Sequence, residues 1–494
     1  MKHTMRVFSI ALLVSSLCLS VLANSQNRSE QTGKYVADYV VVGGGTAGCV
    51  IARLLSDNFS NSVMMLERGE NTLNDPIINA CSFANLPVIF VNPKYSNSFF
   101  ALNAAFGSMV IGNGTMLGGS LTHNNFLAVR GDQVYNEWAS ISGDSRWLLS
   151  NILPLEKANE RYVPTGTIPS PSRGLTGPLV ITQNSPFSGP AVALANSVAT
   201  ALGAPVVDDY NSNDLATSVS QQFCVTVNGT PQRTDTARAY LTPGIINPDG
   251  TPVGNRHLTV KLGATATRIL FKGTRAIGVE YVQKTSNGNE KRYCVRARKQ
   301  IIISSGSIYS PQLLMLSGVG PKAVLQENNI PEIFVNEHVG AHLSIQYGVA
   351  AIFNGIFRGG APISFTNTTV PQPLNASRDS QFLFLPGAGV GGEESGVNTC
   401  IATFAGTAGG PRSTVIAWNL FPRSKGTLVL ATANPFTNPF INFNSYSDGD
   451  LTDPNSDASR VVRYFKLIRD AVHGVGQTMV YPSEADFGAG DEKL

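Results

Sequence analysis

The chain has 494 residues, of which 43% are hydrophobic and 14% charged, enough to bury more than one core and suited to two or three domains. Its net charge of +3 is small for that length and gives no electrostatic reason to expect nucleic acid or an anionic membrane as partner. The 48 glycines and 28 prolines are spread along the chain, which excludes a low-complexity tract and predicts many turns.

Residues 1–23 read as a cleavable signal peptide. Lys2 and Arg6 precede an apolar run from Val7 to Val21, and cleavage is expected near Ala23. The run is short for a membrane span, and no later segment offers about eighteen consecutive apolar residues. The expectation is a secreted or periplasmic chain without a transmembrane segment, with 24–37 as a linker. Cys49, Cys81, Cys224, Cys294 and Cys400 remain after the signal. Their scatter, with no C-x-x-C pair, indicates neither a metal site nor a disulfide scaffold; one bridge is allowed and at least one thiol is left over.

The strongest local signal follows in "ADYVVVGGGTAGCVIARLLSDNFSNSVMMLERGE". Tyr39–Val42 predicts a buried strand, and Gly43, Gly45, Thr46, Ala47 and Gly48 belong to a G-x-G-x-x-G turn. Ala47, Val50, Ile51 and Leu54 then fall on one face of a helix, and Val63–Leu66 predicts a second strand ending at Glu67. The first glycine makes the turn, the second admits a pyrophosphate, and the third lets helix and strand approach closely. The helix N-terminus offers free N–H groups to phosphate, and an acidic residue at this spacing accepts from the adenosine ribose. A dinucleotide site is expected, but the motif does not separate FAD from NAD.

The next dense glycine stretch, "GNGTMLGGSLTHNNFLAVR" (112–130), has little that reads as core. Glycine at this density marks backbone that must come very near a neighbour. Together with "IIISSGSIYSPQLLMLSGVGP" (301–321), this loop resembles the two signatures of the glucose-methanol-choline (GMC) FAD-dependent oxidoreductases, choline dehydrogenase- and oxidase-like. "TARAYLTP" (236–243), "HLTVKLGATATRILFKGTRAIGVEYV" (257–282) and "PRSKGTLVLATANPFTNPFINFN" (422–444) are similar to other segments of that family.

The resemblance implies FAD as cofactor. It places Gly118, Gly119 and Ser120 along the flavin, Asn124 with its main chain facing the ring, and Ala266 at the adenine. Gly306 would open the helix turn near the ring, and Leu127 completes the implied binding set. His123 stands where choline-oxidase-like members attach FAD covalently through a histidine. A histidine hydrogen-bonded to the loop beside non-covalent FAD is the other reading, and both stay open. The implied architecture is α/β, a Rossmann-type FAD-binding domain (38–155 and 230–325) interleaved with an α+β substrate-binding domain built on an antiparallel sheet (156–229 and 326–494). Loops at 355–364 and 387–395 would roof the flavin.

Alcohol oxidation on a flavin needs a base for the hydroxyl proton. The family's C-terminal H-P-V-G-T-like motif is not found, and roughly a hundred residues are expected to be absent against common family lengths. His473, in "HGVGQTM", reads as the end of the helix predicted by "SRVVRYFKLIRDAV"; His257 precedes a strand, and His338 and His342 stand in "EHVGAHLSIQYG". The catalytic residue is therefore unknown. The leading expectation is an FAD-dependent oxidoreductase passing hydride from a small alcohol to flavin N5, with oxygen or quinone as acceptor. A hydroxynitrile-lyase-like flavoprotein and an inactive, truncated FAD-fold remnant are the alternatives.

Overall fold

The computed structural model describes residues 34–81, 85–103, 107–124, 128–130, 132–164, 171–183, 190–212, 215–219, 221–284, 289–346, 348–354, 362–366, 380–385 and 412–481. The proposed signal segment, Leu127, Cys400 and most of the two proposed roof loops lie outside these residues.

The run of valines that predicts a strand forms one, and a longer one: β1 spans Lys34–Val42. Helix α1 (Thr46–Asp57) and β2 (Val63–Leu66) follow. The sheet is completed much later by β3 (Leu258–Lys261), β4 (Ala264–Lys272), β5 (Arg275–Lys284) and β6 (Glu290–Ile303). In space the order is β3-β2-β1-β6-β5-β4. The first four strands are parallel, and β6, β5 and β4 form an antiparallel meander. Strand order therefore reverses beside β1, and in an open α/β sheet such a switch point is where a crevice forms.

Alternation along β1 explains why its apolar run is unbroken. Val40 and Val42 enter one core with Met64, Leu66, Val279 and Val295. Val41 enters a second core on the opposite face with Val63, Met65, Leu258 and Val260. A parallel strand covered on both sides has no solvent face to alternate with. Each such side chain contributes roughly 1.5–3 kcal/mol when fully buried.

Helix α1 forms where the spacing predicts it, but it buries a different face. Its buried residues are Gly48, Cys49, Ala52 and Ser56, while Leu54 is 58% exposed. The reason is contact distance. A Cβ on Gly48 would stand 2.0 Å from the Gly43 carbonyl oxygen, so the helix lies too near the turn for any but small side chains, and its larger ones are turned aside.

A second six-stranded sheet is antiparallel throughout, in the order Met479–Tyr481, Gly348–Asn354, Arg412–Asn419, Ser380–Leu385, Pro362–Thr366, Ala216–Val219. Two helices, Pro190–Leu202 and Asp457–His473, the second predicted by its apolar periodicity, share its core through Leu194, Val198, Tyr464 and Ile468. His473 is the last residue of its helix and is exposed, as its sequence context predicts. No described helix is long and apolar enough to cross a membrane.

Among the described residues one disulfide joins Cys81 to Cys224 across 143 residues, with Cα atoms 6.2 Å apart; Cys49 and Cys294 keep their thiols. It ties the segment after the short helix Pro76–Asn79 to the hairpin Cys224–Val227/Thr230–Arg233. Closing a loop of that length removes about 5 kcal/mol of unfolded-state entropy in the chain-entropy account. A Cys81→Ser/Cys224→Ser chain should therefore melt several degrees lower under oxidising conditions and lose its sensitivity to dithiothreitol. Equal melting temperatures would show that this bridge carries no stability.

Candidate functional site

The crevice at the switch point is a cleft of about 460 Å3. One wall is the turn after β1, with Gly43, Gly45, Thr46 and Ala47; another is the loop residues Asn113, Gly114, Gly119 and Ser120. Ala264, Thr265 and Ala266 of β4 stand in the lining together with Leu66, Glu67 and Arg68. The segment Ile303–Gly306 and helix α2 (Gly306–Leu316) complete it with Tyr309, Gln312 and Leu313. Ten of these residues are thus contributed by stretches that the sequence places far apart: Gly43, Gly45, Thr46, Ala47, Glu67, Gly119, Ser120, Ala266, Ser304 and Gly306.

The two glycine loops touch. The Gly118 N–H donates to the Gly44 carbonyl at 2.8 Å, and a Cβ on Gly119 would stand 2.7 Å from the Gly45 Cα. Gly43, Gly118 and Gly119 have φ of +99°, +98° and +60°, the left-handed region that glycine enters without strain. Ser304 and Ser305 brace the first turn from below. Ser304 Oγ donates to the Gly43 carbonyl at 2.8 Å, and Ser305 Oγ to the Val42 carbonyl at 2.9 Å.

Where glycine is not forced by a neighbour, it leaves space. A Cβ on Gly45 would meet no atom nearer than 3.8 Å, and one on Gly306 would meet nothing within 4 Å. Both residues line the cleft, so side chains there would fill it. Both flanking helices begin at the cleft without a side-chain cap, α1 at Gly45 and α2 at Ser305. Uncapped N-terminal amides facing a cavity suit an anion such as a pyrophosphate.

Glu67 is buried, and two backbone amides hold its carboxylate. The Gly44 N–H donates to Oε2 and the Gly69 N–H to Oε1, each at 2.7 Å. Burial raises its pKa, opposed by those amides and by Arg68. Arg68 was not singled out by any motif. Its guanidinium lies 4.5 Å from the centre of the Tyr309 ring, and both residues line the cleft. The residue after the acidic position of a G-x-G-x-x-G unit carries no fixed chemistry in the pattern, so only the fold brings it to light.

Other sequence candidates sit behind the lining. Gly48 supplies the close helix approach, and Gly118 the contact with Gly44. Asn124 is held by Arg233, which donates to its carbonyl at 3.2 Å and to its Oδ1 at 3.3 Å. His123 is 3% exposed and does not line the cleft. Its Nε2 lies 3.1 Å from Ser96 Oγ, and its ring meets Phe90 edge-on at 4.3 Å. Burial, helped by the charge of Arg233, pushes its pKa down to about 4. His257, His338 and His342 are exposed, and among the described residues no histidine lines the cleft. No described group of acidic, histidine and cysteine side chains could hold a metal.

A family model described as GMC oxidoreductase matches residues 37–347. A dehydrogenase of Armillaria gallica is 32% identical over 332 residues, covering 63% of this chain and 50% of that protein. An oxygen-dependent choline dehydrogenase of Pseudomonas putida is 31% identical over 324 residues, covering 62% and 53%. The chain spans about half the length of the curated relatives it matches. Among solved structures, formate oxidase of Aspergillus oryzae, described in connection with FAD modification, superposes with a TM-score of 0.73 at 21% identity, covering 92% of this chain and 85% of that one. A fungal aryl-alcohol oxidase gives 0.68 at 17% identity, covering 91% and 85%. At these identities the structural likeness shows the fold alone.

The burial of His123 has a pH signature. A neutral histidine with its pKa held near 4 favours the fold above the ordinary value of 6.5. That stability is lost as pH falls from about 6.5 toward about 4, where the unfolded chain takes up a proton that the fold refuses. The loss is on the order of 3 kcal/mol. His123→Leu should flatten the fall in melting temperature across this window in the ligand-free chain. Parallel curves for the two chains would contradict the burial.

Proposed function

Because the chain belongs to the GMC oxidoreductase family, we propose that it binds FAD in this cleft and oxidises the CH–OH group of a small alcohol. The single observation that carries the reading is the meeting of the two glycine loops at one crevice, which Glu67 lines together with Gly119 and Ser120 of the second loop. Gly43, Gly45, Thr46 and Ala47 with the start of α1 would hold the pyrophosphate, and Glu67 the adenosine ribose. Ala266 would meet the adenine through its backbone. Gly118, Gly119, Ser120 and Asn124 would shape the flavin end, with the N-terminus of α2 at Gly306 beside it.

Bound FAD would supply a hydride acceptor at its N5. The chain's own part is to orient that coenzyme and to exclude water with apolar and backbone walls. The catalytic base is assigned to none of the described residues. Oxygen or a quinone is the acceptor in this reading. A secreted or periplasmic location agrees with the Cys81–Cys224 bridge, since such bonds persist in oxidising compartments.

We read the flavin as held without a covalent bond, because His123 is turned to Ser96 and Phe90 and away from the lining. Purified chain should be yellow after reconstitution with FAD, bleach anaerobically with an alcohol substrate, and recover its colour with oxygen or a quinone. Acid precipitation should release the colour into the supernatant. Colour kept by the pellet would assign a covalent link to His123. Cyanide release from a cyanohydrin without bleaching would replace oxidation by lyase chemistry, and a bound flavin inert to both would leave only the fold.

A further inference from the structure

Arg233 is a 1% exposed cation that none of the motifs includes. It ends the hairpin strand Thr230–Arg233, and both of its terminal nitrogens donate to one stretch of backbone. Nη1 donates to the Leu121 carbonyl at 3.1 Å, to the Asn124 carbonyl at 3.2 Å and to Asn124 Oδ1 at 3.3 Å; Nη2 donates to the same Asn124 carbonyl at 3.2 Å. Nε donates to the Ile78 carbonyl at 3.3 Å. In the chain these contacts follow Gly118–Gly119, at Leu121 within the single turn of 3-10 helix Gly119–Thr122 and at Asn124 just beyond it.

The arrangement is costly to keep. Burial pulls the guanidinium's pKa down to about 9 even with the Asp235 carboxylate nearby, so the fold retains a charge where a neutral side chain would be easier to desolvate. What a neutral side chain lacks is a planar fork that satisfies carbonyls at two loop positions together. The hairpin carrying the fork is itself fixed. Arg233 stands opposite Cys224 in the hairpin register, Cys224 is bonded to Cys81, and Gln232 forms a bridge to Ala80.

We propose that Arg233 is a positioning residue for the flavin, acting through the Leu121 and Asn124 carbonyls to set the shape of the loop Gly118–Asn124. The inference rests on the flavin reading above. It separates the two ends of the cofactor. The nucleotide end is held by Gly43–Ala47, Glu67 and Ala266, to none of which Arg233 donates, so a loss at Arg233 should be felt at the ring and not at the adenosine.

The test uses the full chain with Arg233→Lys and Arg233→Met, each titrated with FAD and, separately, with ADP as a probe of the nucleotide end alone. ADP affinity should stay within about twofold of the unsubstituted chain. FAD affinity should fall by about tenfold or more in Arg233→Met, with a changed visible circular dichroism of the bound flavin, and by less in Arg233→Lys, which restores charge but not the fork. Arg233→Lys carries the comparison should Arg233→Met not fold. Equal losses of FAD and ADP affinity would mean general damage and overturn the inference, as would unchanged FAD affinity with an unchanged spectrum. An unsubstituted chain that binds ADP but no FAD overturns the flavin reading and this inference together.

Discussion

The backbone contact between Gly44–Gly45 and Gly118–Gly119 is the constraint on which the rest of the site depends. No side chain fits between these segments, because a Cβ on Gly119 would reach the Gly45 Cα and the Gly118 amide is already bonded to the Gly44 carbonyl. The contact fixes where the second loop can run. That in turn places Ser120 in the cleft wall and directs Leu121 and Asn124 back to Arg233. From the other side Ser304 and Ser305 hold the first turn to the end of β6. The cleft is the gap that remains once three backbones have been brought as near to one another as glycine and serine allow.

Such a site is made largely of main chain, and its electrostatics follow from that. Helix N-termini without side-chain caps, rather than a cluster of lysines, face the cavity. The acidic residue is held by two amides, and Arg68 is laid over an aromatic ring. A chain with so small a net charge can therefore offer a place for a doubly charged pyrophosphate without a basic surface.

Main-chain construction also explains what could be read from the sequence. Positions where a neighbouring backbone or a left-handed turn demands glycine leave a visible trace, so the turn after β1 and the loop at Gly118–Gly119 were legible, as were the glycine that opens α2, the strands Tyr39–Val42 and Val63–Leu66 and the acidic residue that follows. Side-chain direction was not. The periodicity of α1 pointed to Ala47, Val50, Ile51 and Leu54, but the helix buries Gly48, Cys49, Ala52 and Ser56, because contact distance with the turn outranks hydrophobicity there. The pairing of Cys81 with Cys224 spans 143 residues and leaves no mark in either neighbourhood. Arg233 escaped for a similar reason, since a cation that donates to backbone carbonyls at Ile78, Leu121 and Asn124 offers a motif no fixed partner residue type to display. His123 was legible as unusual, while its orientation toward Ser96 and Phe90 depended on strands and a helix brought in from elsewhere.

The pairing of β1 with β6 carries a consequence for how the molecule is made. Val42 lies beside Ile303, and Ser304 reaches Gly43 across 261 residues of chain. At ordinary rates of synthesis that separation is on the order of 10–50 s of elongation. Throughout it, β1 and β2 exist with no strand to cover one side of β1, whose Val40, Val41 and Val42 are all buried in the finished sheet. Long-range parallel pairing is slow even once both partners are present. The half-made protein thus carries an open apolar edge, ready to join another like it, until the ribosome delivers the strand that closes it.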